Sequence, residues 1–341
     1  MRSPVLPFVA LALAALAQTQ TQPQLQPQST QQQPIRVQVN EVVVPVTVTD
    51  DKGAFVSNLE ASDFLVLDEG RPQKIVYFSR EQGQPVVVGF LLDMSNTTRL
   101  HWKTFQDAVL ELVWTLLPGD KKFSGYLISY SNEPELLVDT TTDSEKIVEK
   151  IRKLKPGGGA ALFDAIWMAC TKRTLIGGEP IEPRRVLIIV GDGNDNASKH
   201  TFEEVLELAQ RNMVTIYGVS TVAFGFTSEG EKTLKRLAEE TGGRVEYPLQ
   251  GVYRDVSGYL STPSDEGNYA LRVGTGGYAA AIAANIVRAV AAVAGEITTQ
   301  YVLRYVPDEP ESPKAFRNIE VRVNLPNVKV RHRKGYYRPG A

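Results

Sequence analysis

Apolar and polar residues alternate at both ends of the chain. Within residues 35–84, β-branched residues recur at every second position, as in Val42, Val44 and Val46. This period of two predicts strands with one buried face. The turn residues Glu69-Gly70-Arg71-Pro72 predict a hairpin in the same segment.

Residues 298–341 return to the same alternating pattern. Neither terminal segment has enough strands to be stable alone, because isolated hairpins are marginal in water. We therefore predict that 35–84 and 298–341 pair into one antiparallel β unit, which is discontinuous in the sequence.

Between these flanks, apolar runs alternate with amphipathic segments. Residues 85–297 contain strand-like runs such as VVVGFLLD and RRVLIIVG, and helical stretches such as TFEEVLELAQRNM. This alternation predicts an α/β fold: a doubly wound, mostly parallel sheet with helices on both faces, joined to the small antiparallel β side domain of the flanks. Residues 249–277 are rich in Gly, Ser, Tyr and Pro and predict a long loop or insertion.

The first residues have the features of an export signal. Arg2 precedes a short apolar run, and Ala15 and Ala17 supply the small residues that signal peptidase requires. We expect a signal peptide over 1–17 with cleavage after Ala17, so the protein would be periplasmic, surface-bound or secreted. The Gln/Pro-rich residues 18–34 predict a disordered linker.

Composition narrows the classes of partner. The chain has 341 residues and a formal net charge of -2, which gives no electrostatic reason to expect nucleic acid as a partner. The segment YAAAIAANIVRAVAAVAGEI is long and apolar, but Asn285, Arg288 and Glu296 argue against a membrane span. We expect no transmembrane segment in the mature chain.

Two predicted strands end in carboxylates. Asp93 follows VVVGFLL, and Asp192 follows VLIIVG with Asp195 in the same loop. Ligands of a doubly wound sheet bind at the carboxyl ends of its strands, where the strand order reverses. In an extended loop the side chains of Asp93, Ser95 and Thr97 point the same way. Their oxygens suit Mg²⁺, Mn²⁺ or Ca²⁺ rather than Zn²⁺.

A simpler interpretation applies to the same loop. Asp93, Ser95 and Asn96 are typical helix-capping residues, and a helix is predicted to begin near Leu100. Capping and metal binding are compatible, so the two interpretations do not exclude each other.

These motifs resemble the von Willebrand factor type A (VWA) domain and its metal-ion-dependent adhesion site (MIDAS). The family motif Asp-x-Ser-x-Ser is similar to Asp93–Thr97, and a later Ser-Asp-Gly motif is similar to Gly191–Asp195. The stretch Gly158–Ala165 resembles a third motif, but Ala160 stands where relatives carry a threonine close to the metal. The flanks resemble those of an exported, acidobacterial-type group, the VWFA-related proteins.

The resemblance implies a metal site with Mg²⁺, or Mn²⁺ or Ca²⁺, as cofactor. Its ligands would be Asp93, Ser95, Thr97 and Asp192. A water molecule could replace the missing threonine oxygen. The residues expected around these ligands, without direct metal contact, are Asp195, Asp164, Gly159 and Ala160.

Three functions stay open at this point. The first is metal-dependent adhesion to a protein partner that presents a carboxylate, without catalysis, because no nucleophile with an adjacent base is evident. The second is a metal-independent structural or scaffold role, with Ala160 marking a degenerate site. The third is a metal-dependent hydrolase, which usually carries more carboxylates or a histidine beside its metal.

Overall fold

The computed structural model describes most of the chain after its first 40 residues. The described residues are 41–80, 85–119, 122–171, 183–222, 228–249, 275–308 and 315–338. The predicted signal peptide (1–17), the linker (18–34), residues 35–40 and most of the loop at 249–277 lie outside them.

Strands and helices alternate through the centre of the chain, as the sequence predicts. The strands are β1 (Val42–Asp50), β2 (Phe64–Asp68), β3 (Arg71–Gln73), β4 (Ile75–Ser79), β5 (Val86–Asp93), β6 (Phe123–Tyr130), β7 (Pro134–Thr141), β8 (Arg184–Gly191), β9 (Val214–Ser220), β10 (Val245–Glu246), β11 (Tyr301–Tyr305), β12 (Phe316–Val323), β13 (Val328–Arg331) and β14 (Gly335–Tyr337). The helices are α1 (Trp102–Leu116), α2 (Ser144–Ile151), α3 (Leu162–Thr171), α4 (Phe202–Arg211), α5 (Glu229–Thr241) and α6 (Thr275–Thr299).

A six-stranded sheet with the order β10-β9-β8-β5-β6-β7 forms the centre of the fold. Its neighbouring strands are parallel except for β6 and β7. From β5 the chain adds β6 and β7 on one side and then crosses to place β8 on the other. The strand order therefore reverses beside β5, and a cleft is expected at the carboxyl ends of β5 and β8.

The central strands are buried on both faces. Val88 and Phe90 belong to a core cluster with α1, α2 and α6, whereas Val87 and Leu91 belong to a second cluster with α3, α4 and α5. Alternate side chains of β5 thus enter opposite cores, as the period of two requires. The predicted fold class is confirmed.

The flanks form two four-stranded antiparallel sheets with a shared core. Their orders are β13-β1-β11-β4 and β14-β12-β2-β3, so each sheet contains strands from both flanks. The predicted hairpin is present between β2 and β3. Glu69 and Gly70 both have positive φ (50° and 78°), as the two central residues of a type I′ hairpin turn require.

Helix α6 is the segment that we expected not to span a membrane. Its stretch Ala280–Thr299 is long and apolar enough for a span, with a mean hydropathy of 1.6. In this fold its residues Ile282, Ile286, Val290 and Val293 are buried in the same core cluster as α1. The apolar stripe of α6 therefore covers one face of the central sheet.

A buried carboxylate joins α6 to the flanking sheets. Glu296 is fully buried and accepts hydrogen bonds from Thr47 Oγ1 on β1 (2.9 Å) and from Tyr217 Oη on β9 (3.1 Å). Its Oε2 also lies 2.5 Å from Arg331 Nη2 on β13 and 2.9 Å from Arg244 Nε. One side chain thus connects α6 with both flanks and with the central sheet.

Replacing Glu296 by Gln is expected to lower the free energy of unfolding by roughly 3 kcal/mol, because the partly buried guanidinium groups lose their counter-charge. Urea unfolding at neutral pH measures this loss. The matched control is Glu229→Gln, which removes the exposed ion pair with Lys232 and should change stability by less than about 1 kcal/mol. Equal effects of the two variants would contradict the central role of Glu296.

Candidate metal centre

The four predicted ligand residues come together at the carboxyl ends of β5 and β8. Asp93 is the last residue of β5, and Asp192 directly follows β8. Thr97 Oγ1 donates a hydrogen bond to Asp192 Oδ2 (2.8 Å), and Ser95 Oγ lies 2.9 Å from Thr97 Oγ1. The two loops are therefore joined through side-chain oxygen atoms at the switch point.

Both aspartates use one oxygen to shape their own loop. Asp93 Oδ1 accepts the backbone N–H of Ser95 (2.8 Å), and Asp192 Oδ1 accepts that of Asn194 (2.9 Å). Asp192 Oδ2 accepts from Thr97, whereas Asp93 Oδ2 is buried and lacks a hydrogen-bond partner among the described residues. One carboxylate oxygen of the site is thus left unsatisfied.

The capping interpretation of this loop is wrong. Ser95 precedes a short 3₁₀ turn, Asn96–Leu100, and α1 begins only at Trp102, after His101. Within the described part of the chain, neither Ser95 nor His101 makes a side-chain capping bond. The polar residues after β5 therefore serve the loop itself and its contact with Asp192, not the start of α1.

Burial sets the electrostatics of Asp93. Its side chain is fully buried, and desolvation raises the pKa of its carboxyl group to about 6, with the charge of Asp192 adding to the rise. A buried carboxylate oxygen without a partner is costly, and a bound cation would supply the missing interaction. The unsatisfied oxygen thus fits the predicted metal.

The donor set fits a hard cation only if the hydroxyl groups take part. No group of three or more His, Cys, Asp or Glu side chains in the described ranges could hold a metal ion. The site offers the carboxylates of Asp93 and Asp192 and the hydroxyls of Ser95 and Thr97. This oxygen set suits Mg²⁺, which completes its shell with water.

Two asparagines that the sequence analysis missed fix the Gly-rich loop beside the site. Asn132 Oδ1 accepts the N–H of Gly159 (2.7 Å), and Asn196 Oδ1 accepts that of Ala160 (2.8 Å). Ala160 is buried, and its side chain has no oxygen at the position where the resemblance implies a threonine. Both asparagines lie in loops that follow central strands, and that position is the sequence signal that could have identified them.

Asp195 and Asp164 connect the loop after β8 to helix α3. Asp195 Oδ2 accepts the backbone N–H of Phe163 (2.9 Å) and the hydroxyl of Ser198 (2.6 Å). Asp164 Oδ1 accepts the N–H of His200 (3.1 Å) and lies 2.6 Å from its Nδ1. The His200 ring also stacks on Trp167 with centroids 3.9 Å apart. These contacts hold the loop that carries Asp192.

The raised pKa of Asp93 predicts a pH dependence in metal-free buffer. The folded state favours the protonated carboxyl group, so its stabilising effect is complete below the unfolded pKa of 3.8 and is lost as the pH rises through about 6. Asp93→Asn keeps a neutral side chain at every pH. The free energy of unfolding of the wild type, relative to this variant, should therefore fall between pH 4 and pH 7 in EDTA. A constant difference over this range would contradict the raised pKa.

The comparisons with known proteins agree with this fold. Residues 88–250 match the family model of the von Willebrand factor type A domain. No curated protein matches the chain.

Three of the solved structures that resemble the chain come from bacteria and from a mussel. BatB from Bacteroides thetaiotaomicron is 16% identical over 62% of this chain and 97% of its own, with a TM-score of 0.37. The von Willebrand factor domain of the type V pilus tip protein Mfa5 from Porphyromonas gingivalis is 26% identical over 33% of this chain and 39% of its own (TM-score 0.28). Proximal thread matrix protein 1 from the mussel byssus, with a zinc-occupied MIDAS motif, is 16% identical over 50% of this chain and 42% of its own (TM-score 0.40).

Because their TM-scores are below 0.5, these three structures give no information about the function of this chain. The chain also spans less than half of the pilus and mussel chains. The family match and the strand order together confirm the resemblance at the level of the domain, while the exported subgroup stays a prediction. Residues 88–250 therefore have the fold of the von Willebrand factor type A domain.

Proposed function

We propose that this protein is an exported, non-catalytic adhesion module that binds a protein partner through a metal ion. Asp93, Ser95, Thr97 and Asp192 would hold Mg²⁺, or Mn²⁺ or Ca²⁺. The observation that supports this most directly is the unsatisfied, buried Oδ2 of Asp93 within a cluster of oxygen donors.

The exposure of the four residues shows which side of the proposed site faces solvent. Asp93, Ser95 and Asp192 are buried, whereas Thr97 is exposed. A cation seated on the buried oxygens would therefore meet solvent on the side of Thr97. When bound, it would attract a carboxylate of the partner, and a water molecule would occupy the position that Ala160 leaves without an oxygen.

The contacts of Ser198 and His200, close to the proposed site, support a binding role rather than hydrolysis. Ser198 Oγ donates to Asp195, and the His200 ring lies between Asp164 and Trp167. The hydroxyl and the imidazole therefore have separate partners and do not form a nucleophile–base pair. Both residues hold the loop after β8 in place.

A metal-independent scaffold is the second candidate. Thr97 already donates a hydrogen bond to Asp192, so the two loops are joined without a cation. Ala160 also removes the hydroxyl that relatives provide. In this alternative the site would be a structural contact between loops, and partner binding would use another surface.

Removing Asp93 tests the metal site. Isothermal titration of the full chain with Mg²⁺ and with Mn²⁺ should show binding to the wild type and at least about tenfold weaker binding to Asp93→Ala, because a ligand is lost. The control is Asp107→Ala, an exposed aspartate on α1 that pairs with Lys103 and should leave the affinity unchanged. Absence of heat in the wild type with both cations would refute the metal-dependent function and favour the scaffold.

A capture experiment tests the metal-bridged partner. The immobilised full chain should retain a protein from an envelope extract in Mg²⁺ and release it in EDTA, and Asp93→Ala should not retain it. Replacing the contacting Asp or Glu of the captured protein by its amide should abolish retention, since the amide cannot bridge the cation as an anion. Retention that is equal with and without EDTA would show a metal-independent interface.

A further inference from the structure

Tyr130 is a second buried group with an unused polar atom at the proposed site. It is the last residue of β6 and lies in register with Asp93 on the neighbouring strand β5. Its side chain is 1% exposed, and its hydroxyl makes no hydrogen bond to any residue that the structure describes. Aligned residues on parallel neighbours share a face of the sheet, so Tyr130 and Asp93 lie side by side.

Gly191 at the end of β8 shows how close the two groups are. A Cβ atom on Gly191 would lie 2.7 Å from Tyr130 Oη and 2.9 Å from Asp93 Oδ2. The tyrosine ring therefore reaches across β5, and its hydroxyl and the unsatisfied carboxylate oxygen border the same small space. This close approach, rather than a positive φ, is why the position requires glycine.

The two unsatisfied atoms are chemically complementary. A phenol hydroxyl donates a hydrogen bond and a carboxylate oxygen accepts one, and buried polar groups are almost always paired. Burial and the charge of Asp93 raise the pKa of Tyr130, which therefore stays a neutral donor. Both atoms lie within 3 Å of the same point beside Gly191, so a small shift of either side chain, or one bridging water molecule, would join them.

We propose that Tyr130 is a positioning residue of the metal site, whose hydroxyl donates to Asp93 Oδ2, directly or through one water, when a cation is bound. The hydrogen bond would fix the carboxylate so that it faces the cation in one orientation. This inference rests on the proposed metal-dependent function and assigns Tyr130 no direct contact with the metal.

Tyr130→Phe tests this role because it removes only the hydroxyl. Titration of the full chain with MgCl₂ should show roughly tenfold weaker binding, the usual effect of losing a hydrogen bond to a metal ligand. The melting temperature in EDTA should stay the same or rise, because the variant loses a buried hydroxyl that has no partner. If Tyr130 only supported the fold, its substitution would lower the melting temperature as well as the Mg²⁺ affinity.

Tyr126→Phe is the matched control. Tyr126 lies on the same strand, four positions before Tyr130, and its hydroxyl packs over Gly89 in the way that Tyr130 packs over Gly191. It is far from the carboxyl end of β5, so its variant should bind Mg²⁺ like the wild type.

The outcomes separate this inference from the function on which it rests. Weaker Mg²⁺ binding by Tyr130→Phe alone supports the positioning role. Equal affinity in wild type and Tyr130→Phe overturns that role and leaves the metal site intact. A wild type that takes up no Mg²⁺ overturns the proposed function and, with it, the role of Tyr130.

Discussion

The burial of β5 on both faces constrains where this fold can carry polar chemistry. All eight residues of the strand are buried, because helices cover each side of the central sheet. A polar side chain inside such a strand would lack partners, so the first place for one is the carboxyl end, where loops provide donors. Asp93 occupies that position, and Asp192 directly follows the last residue of β8.

The negative charges of Asp93 and Asp192 repel each other, so both carboxylates need stabilising contacts. Asp192 Oδ2 accepts a hydrogen bond from Thr97, whereas Asp93 Oδ2 has no hydrogen-bond partner among the described residues; the other oxygen of each carboxylate accepts a backbone N–H of its own loop. Desolvation by burial is the main cause of the raised pKa of Asp93, and the charge of Asp192 adds to it. Protonation and cation binding would both compensate the unsatisfied charge, so a cation at the proposed site would compete with the proton for Asp93.

Local patterns predicted the fold and the position of the site, but not the contacts between distant residues. The period of β5 and the carboxylates that follow β5 and β8 are visible in a short window of sequence. By contrast, Asn132 contacts Gly159, and Tyr130 reaches Gly191, only after the sheet has formed. The capping prediction was wrong for a related reason: residues with the right chemistry for a cap instead bond within their own loop and to Asp192.

The matched segment 88–250 is not a complete folding unit in this chain. It leaves out α6, whose residues Ile286 and Val293 fill the core on one face of the central sheet. Helix α6 in turn carries Glu296, a fully buried charge whose partners include Thr47 on β1 and Arg331 on β13. Cutting the chain at the edges of the matched segment would expose the core that α6 shares with α1 and the central sheet. Keeping α6 without the flanks would leave the buried carboxylate of Glu296 short of partners. The flanking sheets are therefore part of what stabilises the domain that carries the candidate site, rather than an independent addition to it.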